Sequence, residues 1–306
     1  MAINTIEKAK IFQQALDKQI LVGATSGWME TNAQNVKYNG GDTVRMPKIV
    51  VGGLAKYDRD NGFNQGAVTL SYDDYKLTQD RGRTFHLDSM DVDESNFVAS
   101  AGNVMGEFQR LQVIPEVDAY RYSKIAALAK TAMHETATFT PDKTNILEAL
   151  DAEITKIQDV VGDAEPLVII MSTPVRTILN GAKDITKYLD TAAFKSGVID
   201  TKVKTYNEIP ILPVPSARMK TAYVFNDGKT AGQETGGFKA DTTAKNINWI
   251  IMARRAPIAI SKTDKIRIFD PATNQKADAW KIDYRKFHDL WIPSNKLAAV
   301  WVNTGA

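Results

Sequence analysis

The sequence has no cysteine and only 3 histidines among 306 residues. Without cysteine the chain forms no disulfide and offers no thiolate as nucleophile or metal ligand, a composition that suits a reducing compartment. The histidines, His86, His134 and His288, stand singly, whereas zinc-binding helices space two of them one turn apart. We therefore predict no metal, cofactor or catalytic residue from these residue types.

Excess charge of one sign and long apolar runs are also lacking. The 38 basic and 36 acidic residues leave a formal net charge of +2, too little for a strong field toward nucleic acid or an anionic membrane. No apolar run is long enough to cross a bilayer, and the opening MAINTIEKAKIF mixes charges into its apolar residues, unlike a secretory signal. We expect a globular protein that folds in a cytoplasm and has no membrane partner.

Residues 91–130, DVDESNFVASAGNVMGEFQRLQVIPEVDAYRYSKIAALAK, predict one long helix, or two helices joined at Pro115. Asp91 and Glu94 have the spacing of a capping box, and acidic residues suit the positive end of a helix dipole. One apolar stripe at helical spacing comprises Phe97, Val98, Ala101, Val104, Met105, Phe108 and Leu111. A helix of this length predicts a support on which other elements pack.

The second half of this segment contains Pro115, which lacks a backbone N–H and predicts a kink or break near Ile114. Beyond it, Asp118 and Arg121 have the i,i+3 spacing of an ion pair on a helix surface. Glu116 and Asp118 diverge on a helix, so we interpret this carboxylate pair as ion-pairing at an interface rather than acid–base chemistry.

The chain before this helix predicts separate small elements. Thr5–Leu21 is an amphipathic helix, either packed on its own domain or, as we prefer, an arm on a neighbouring subunit. Val22–Gly41, rich in Gly, Ser, Thr and Asn, predicts a linker.

A β-ribbon is predicted next. Thr43–Val50 and Val68–Tyr72 alternate as strands around the glycine-rich, exposed tip Gly52–Ala67, and Arg83–Asp88 alternates again. A change of phase at Asp73–Asp74 predicts a bulge or tight bend. An isolated ribbon with so few apolar residues is only marginally stable in water, so we expect another copy of the protein to support it.

The remainder predicts a compact α/β block followed by a β-rich end. A helix is predicted to start at Thr140–Pro141 and stop at Gly162, and another to start at Ser172. The predicted strands are Leu167–Met171, Ile209–Pro215, Ala222–Asn226 and Asn248–Ala253, with a loop at Gly228–Ala244 and further strands between Ile266 and Val302. The late strands need a cover, and the long helix is the available one.

Candidate chemistry is sparse. His288 precedes Asp289, but neighbouring side chains of a strand point to opposite faces, so a structural role is favoured over a catalytic one. The glycine pairs lack the lysine and spacing of a phosphate-binding loop. Elements that one chain leaves unsupported, together with no evident active site, indicate an assembling protein.

Two stretches resemble a known family. VIPEVDAYRYSKIA, Val113–Ala126, resembles the spine helix of tailed-bacteriophage major capsid proteins with the Hong Kong 97-type fold, and WKIDYRKFHDLWI, Trp280–Ile292, resembles their closing strand region. The order of elements matches over nearly the whole chain. The resemblance implies an α+β fold with an N-terminal arm (1–42), an extended β E-loop (43–90), a peripheral domain with spine helix and β-sheet (91–139 and 256–306) and an α/β axial domain (140–255).

The resemblance also implies a function. A major capsid protein of this kind self-assembles as hexamers and pentamers into an icosahedral shell around double-stranded DNA, with each E-loop lying across an adjacent subunit. A scaffolding protein, a portal, a possible decoration protein and non-specifically contacted DNA would be the partners. Assembly would occur in the bacterial host cytoplasm, and the protein would reside in the virion. Because the chain begins with a short arm, we expect the scaffolding protein to be separate, and we predict no covalent crosslink at Lys56 or Lys76.

Charged residues of the E-loop and spine helix are the candidate inter-subunit contacts. They are Arg59, Asp60, Asp73, Asp74, Arg81, Arg83, Glu116, Asp118 and Arg121. Two alternatives stay open at this point. An encapsulin-like shell would share the fold but enclose a cargo enzyme, and a small soluble enzyme of unrecognised class is the alternative outside structural proteins.

Overall fold

A computed structural model describes residues 24–35, 43–60, 62–88, 105–182, 189–196, 199–274 and 278–306. The predicted helix Thr5–Leu21, the predicted helix start at Asp91 and the first part of its apolar stripe lie outside these ranges. Three α-helices within them are α1 (Ile114–Thr131), α2 (Ile146–Val161) and α3 (Thr173–Asn180).

The described strands form four sheets. They are β1 (Thr43–Val51), β2 (Val68–Lys76), β3 (Gln79–Asp88), β4 (Glu135–Thr136), β5 (Leu167–Ser172), β6 (Leu189–Ser196), β7 (Ile199–Tyr206), β8 (Ile209–Val214), β9 (Tyr223–Phe225), β10 (Phe238–Ala240), β11 (Ile247–Ala253), β12 (Ile258–Phe269), β13 (Ala279–Trp291) and β14 (Val300–Thr304). The sheet orders are β1-β2, β10-β9, β4-β14-β11-β5-β8-β7-β6 and β12-β13-β3. The predicted strands at β1, β2, β5, β8, β9 and β11 are confirmed, whereas the β6–β7 hairpin and β10 were not predicted.

The long helix is continuous through Pro115. Residues 105–108 are helical, Gln109–Val113 form a π-helical turn, and α1 follows directly. The Ile114 N–H donates to the Gln109 carbonyl oxygen, an i→i−5 bond, and Pro115 then lies in the first turn of α1, where its missing N–H costs little. One long helix, rather than two, is therefore the arrangement over residues 105–131.

This helix covers two hydrophobic cores. Its first part packs Met105 and Val117 against Ile282 and Tyr284 of β13, which confirms the predicted cover over the late strands. Its second part, with Tyr122, Ile125, Ala126 and Ala129, belongs to the main core between the helices and the seven-stranded sheet. Leu111 is 56% exposed, so its prediction as a stripe member is wrong, because the π-helical turn shifts the phase of the stripe.

The predicted ribbon consists of β1 and β2, which pair without interruption from Thr43↔Lys76 to Val51↔Val68. The predicted bulge at Asp73–Asp74 is therefore wrong. Since most of the strand is exposed on both faces, the change of phase in the sequence does not mark a change in the strand.

The base of the ribbon is anchored on the body of the subunit. Val44 and Leu77 are buried against Ile258, Ile260 and Trp291. After a short turn, β3 leaves the ribbon and pairs with β13 from Gln79 onward. The ribbon is thus fixed at one end and projects from a packed sheet.

The predicted linker Val22–Gly41 is wrong over residues 24–35. Gly27–Asn35 form a 3₁₀-helix, and Trp28 and Met29 are buried in the main core. The Asn32 amide donates to the carbonyl oxygens of Arg254 (2.9 Å) and Pro257 (2.7 Å), which ties this segment to the chain before β12.

The last strand joins a different sheet from the one expected. Val300–Thr304 lies between β4 and β11 in the seven-stranded sheet, so the predicted return of residues 256–306 to a peripheral sheet is wrong for this strand. The buried Asn303 accepts from Asn248 of β11 at 2.8 Å, a polar contact that favours this position inside the sheet.

The first turn of α2 also differs from the prediction. The helix begins at Ile146 and not at Thr140–Pro141, because Asp142 Oδ1 accepts the N–H groups of Thr144 (2.7 Å) and Asn145 (2.9 Å) in a turn before the helix. Its predicted end at Gly162 is confirmed, with φ of 81° at that residue.

Gly82 provides a test of the β3–β13 pairing. A Cβ at this position would lie 2.7 Å from the Tyr284 carbonyl oxygen, whereas a Cβ at Gly53 in the ribbon tip would meet nothing within 4 Å. We expect Gly82→Ala to lower the free energy of unfolding by about 1–3 kcal/mol, since backbone must move to relieve the contact. Urea denaturation of this variant beside Gly53→Ala measures it, and equal stability of the two variants would contradict the pairing.

Candidate inter-subunit surfaces

Asp118 of α1 is fully buried and binds within its own subunit. Its Oδ1 accepts from the Ser26 N–H (3.1 Å) and hydroxyl (2.6 Å), and its Oδ2 accepts from the Thr25 N–H (3.1 Å) and hydroxyl (2.7 Å). Arg218 Nη1 donates to the same carboxylate at 3.0 Å. Such a carboxylate, with neighbouring donors and a cation, is a structural anchor.

Arg121, one turn further along α1, is also fully buried. Its Nη1 donates to the Ser26 carbonyl oxygen at 3.1 Å, and its Nη2 forms an ion pair with Glu30. Burial alone would raise the pKa of the Glu30 carboxyl, but the positive charges of Arg121 and Lys286 outweigh it and hold that pKa below its usual value.

The predicted i,i+3 pairing of Asp118 and Arg121 is therefore wrong, whereas their inter-subunit roles stay a prediction. Each side chain points into the subunit and binds the 24–35 segment instead of its helical neighbour. The Thr25–Ser26 pair was not singled out from the sequence. The available signal was that these two hydroxyl residues come shortly before two large apolar side chains, Trp28 and Met29.

Arg81 of β3 and Glu116 of α1 form a second contact inside the subunit. The Arg81 guanidinium makes a two-pronged ion pair with the Glu116 carboxylate, and its Nη2 also donates to the Gly237 carbonyl oxygen at 3.1 Å. Burial raises the pKa of the Glu116 carboxyl even though Arg81 opposes that shift. Arg81 and Glu116 thus pair with each other inside the subunit, and their contact with a neighbouring subunit stays a prediction.

Asp289 of β13 lies at a third buried polar cluster. Its carboxylate accepts from the Tyr120 hydroxyl (2.7 Å) and from the Thr78 N–H (2.9 Å) and hydroxyl (2.8 Å), and it forms an ion pair with Lys124. These contacts fasten the turn between β2 and β3 to α1. The carboxylate therefore serves the structure, as expected.

His288 is buried beside this cluster, with its ring 5.5 Å from that of Tyr120 in an edge-to-face arrangement. Burial, reinforced by the positive charge of Arg121, holds the pKa of His288 well below its ordinary value. The imidazole is therefore neutral at physiological pH, and the Asp289 oxygens bind other groups.

The other candidate contacts remain near the surface of the subunit. Asp74 pairs with Arg45 of the opposite strand at 2.9 Å, and half-buried Asp73 accepts from the Ser294 hydroxyl at 3.4 Å. The Arg83 guanidinium donates to the Glu234 carbonyl oxygen at 3.3 Å. Arg59 and Asp60 lie on the exposed tip.

The ribbon and its tip carry large apolar side chains that are exposed to solvent. Those exposed by half or more are Ile49, Val50, Val51, Leu54, Tyr57, Phe63, Val68, Leu70 and Tyr72. Exposed apolar patches of this kind mark interaction surfaces, and a two-stranded ribbon needs such support to be stable. The sequence-based expectation had underestimated this apolar content.

A groove lies between β3, the long helix, β13 and the loop that joins β9 to β10. Its volume is about 700 Å³, and its walls include Arg83, Phe85, Phe108, Tyr284 and His288. Within the described ranges no three metal-binding side chains cluster, and no helix there is long and apolar enough to cross a membrane.

Comparison with known proteins bears on the fold. No protein-family model and no curated protein matches the sequence. Among solved structures, one from Gordonia phage Cozz matches with a TM-score of 0.59 at 14% identity, covering 91% of this chain and 86% of the other. The mature capsid of bacteriophage PhiM1 matches with a TM-score of 0.57 at 10% identity, covering 88% and 83%. The chain has the fold of tailed-phage capsid proteins.

This result confirms the predicted fold class, α+β with the phage-capsid architecture. The virus-like particle of Pyrococcus furiosus also matches, with a TM-score of 0.51 at 11% identity, and the match covers 96% of this chain and 98% of the other. The fold is thus shared by phage capsids and by a virus-like particle.

Asp118 provides a test of the buried contacts. We expect Asp118→Ala to lower the free energy of unfolding by about 3–5 kcal/mol, because partly buried Arg218 and the hydroxyls of Thr25 and Ser26 lose their acceptor. Asp74→Ala, which breaks the exposed pair with Arg45, is the matched control and is expected to cost at most about 1 kcal/mol. Urea denaturation of both variants measures the difference, and similar losses would contradict the assignment.

Proposed function

We propose that this chain is a major capsid protein, not an enzyme. In this proposal it self-assembles as hexamers and pentamers into the icosahedral head shell around the double-stranded DNA of a tailed phage. The observation that carries the proposal is a capsid-protein fold with an anchored ribbon whose apolar side chains lie in solvent.

The ribbon supports assembly for an energetic reason. Apolar surface gains about 25 cal/mol for each Å² removed from water, and Leu54, Phe63 and Val68 are each more than two-thirds exposed in one subunit. An adjacent subunit that receives the E-loop would bury these side chains. The shell would then recover free energy that the isolated subunit cannot.

The buried ion pairs also support the proposal, because they hold the body of the subunit together within one chain. Asp118, Arg121, Glu116 and Asp289 all bind within the subunit, so the body is complete before assembly. The base of the ribbon at Val44 and Leu77 is fixed to that body. A capsid subunit of this design would present its E-loop in one direction to the next subunit.

The domain organisation proposed for this function follows the sequence, with one change. Residues 1–42 would be the arm, 43–90 the E-loop, 91–139 with 256–299 the peripheral domain, and 140–255 the axial domain, to which Val300–Thr304 is added because it pairs with β11. A scaffolding protein, a portal and possibly a decoration protein would be partners. DNA would be contacted non-specifically.

A second candidate function is an encapsulin-like shell around a cargo enzyme, assembled in a cytoplasm without DNA. The match to the Pyrococcus furiosus virus-like particle over 96% of this chain favours keeping it. The phage structures Cozz and PhiM1 match with higher TM-scores, which favours the capsid. Nucleic acid inside shells isolated from the source separates the two.

Deletion of Gly52–Ala67 tests the proposal. We expect the full chain, expressed alone, to form closed shells or fragments with capsomer geometry in negative-stain electron microscopy and to sediment as large particles. The deletion variant should stay soluble and folded but form no shells, because the large apolar side chains of the tip that the structure describes are exposed in the subunit.

Circular dichroism of the deletion variant, matched to the full chain, is the control for folding. Shells of normal size from the deletion variant would contradict the E-loop assignment. A full chain that stays monomeric at high concentration would contradict the capsid proposal itself.

A further inference from the structure

We propose that the groove between β3, the long helix, β13 and the β9–β10 loop receives the E-loop tip of a second copy, with Asp60 of that copy paired to Arg83. The tip here means residues 52–60 and 62–67. This inference rests on the proposed function and names the surface that the E-loop would bind.

The floor of the groove is aromatic. Phe85, Phe108 and Tyr284 line it, with ring centroids 4.9 Å apart for Phe85 and Phe108 and 5.8 Å apart for Phe108 and Tyr284. Both ring pairs are edge-to-face, a favourable arrangement for aromatic side chains, so the three rings together form one apolar surface. The groove, with a volume of about 700 Å³, is large enough to hold a few side chains.

The wall of the groove has polar groups that the subunit leaves unused. Arg81 and Lys286 are paired with Glu116 and Asp264, whereas Arg83 donates only to a backbone carbonyl oxygen, with no carboxylate paired to it in the described part of the chain. An exposed guanidinium in this position favours a carboxylate from outside.

Two buried atoms of the wall lack a hydrogen-bond partner among the described residues. They are Nδ1 of His288, whose side chain is 3% exposed, and Oδ1 of Asn226. Buried polar atoms are nearly always paired, so these two leave hydrogen-bonding capacity unfilled directly behind the surface of the groove.

The tip offers matching groups. Tyr57 and Phe63 stack edge-to-face with centroids 5.0 Å apart, and Phe63 is 89% exposed. Backbone hydrogen bonds between Asp58 and Gly62, at 3.2 and 2.8 Å, hold this end of the loop in shape, so little freedom would be lost on binding. Asp60 is exposed beside the aromatic pair and supplies the carboxylate.

A second copy is required because the tip cannot reach the groove of its own subunit. The groove is lined by residues of β3 that directly follow the ribbon base. Strands of 9 residues put the tip about 30 Å from that base, and β1 and β2 pair without a register shift that would fold the ribbon back. The complementary surfaces therefore meet only between copies.

Charge reversal tests this pairing. We expect Asp60→Arg and Arg83→Asp each to lower the yield of sedimenting shells at least about tenfold, because each places like charges together at a partly buried contact. The double variant that carries both changes should restore shells, because the pair is re-formed with its signs exchanged. The mismatched double variant Asp60→Arg with Arg267→Asp is the control and should stay defective.

Each outcome decides the inference. Normal shells from either single reversal, or a matched double variant no better than the mismatched one, would overturn the Asp60–Arg83 contact. Circular dichroism of the single variants distinguishes an assembly defect from misfolding, and both positions are exposed in the subunit. Failure of the unchanged chain to form shells would instead contradict the proposed function.

Discussion

The buried charges of one helix constrain the rest of this structure. Asp118 and Arg121 have no exposed surface, and a buried charge is tolerated only where a partner and hydrogen bonds replace water. The partners come from Ser26, Glu30 and Arg218, so the 24–35 segment and the chain after β8 must lie against α1. The helix that covers both cores thereby also fixes the elements that cross it.

The same helix determines where the β1–β2 ribbon leaves the body of the subunit. Glu116 holds Arg81, and Tyr120 with Lys124 holds the Asp289 carboxylate, which in turn binds Thr78 at the turn between β2 and β3. The ribbon therefore departs from a turn that is fastened to the helix by charge and hydrogen bonds. Among the described residues, none fastens the far end of the ribbon to the body in this way, and its large apolar side chains are exposed.

Much of the architecture could be predicted from the sequence, because local patterns of apolar residues indicate the helices and strands. The stretch from Val113 to Ala126 marks the helix that organises the fold, and the alternation of Val68, Leu70 and Tyr72 marks a strand whatever it packs on. The buried strand at β5 was equally visible as a continuous apolar run.

The partners of the charged side chains could not be predicted in the same way. Asp118 binds Thr25 and Arg218, which are 93 and 100 residues away, and no periodicity reports contacts at that separation. The spacing of Asp118 and Arg121 suggested an ion pair on the helix surface, but both side chains are buried in the subunit. The sheet that β14 joins is likewise chosen by long-range pairing with β11 and not by its own five residues.

The central claim is that the body is fully packed within one subunit, whereas the ribbon becomes packed only on assembly. Its most direct test is hydrogen–deuterium exchange of the free subunit and of the assembled shell. Amides of α1 should be protected in both, because its contacts lie inside one chain. Amides of β1 and β2 should exchange readily in the free subunit and become protected in the shell. A ribbon already protected in the free subunit, or still exchanging readily in the shell, would contradict the account.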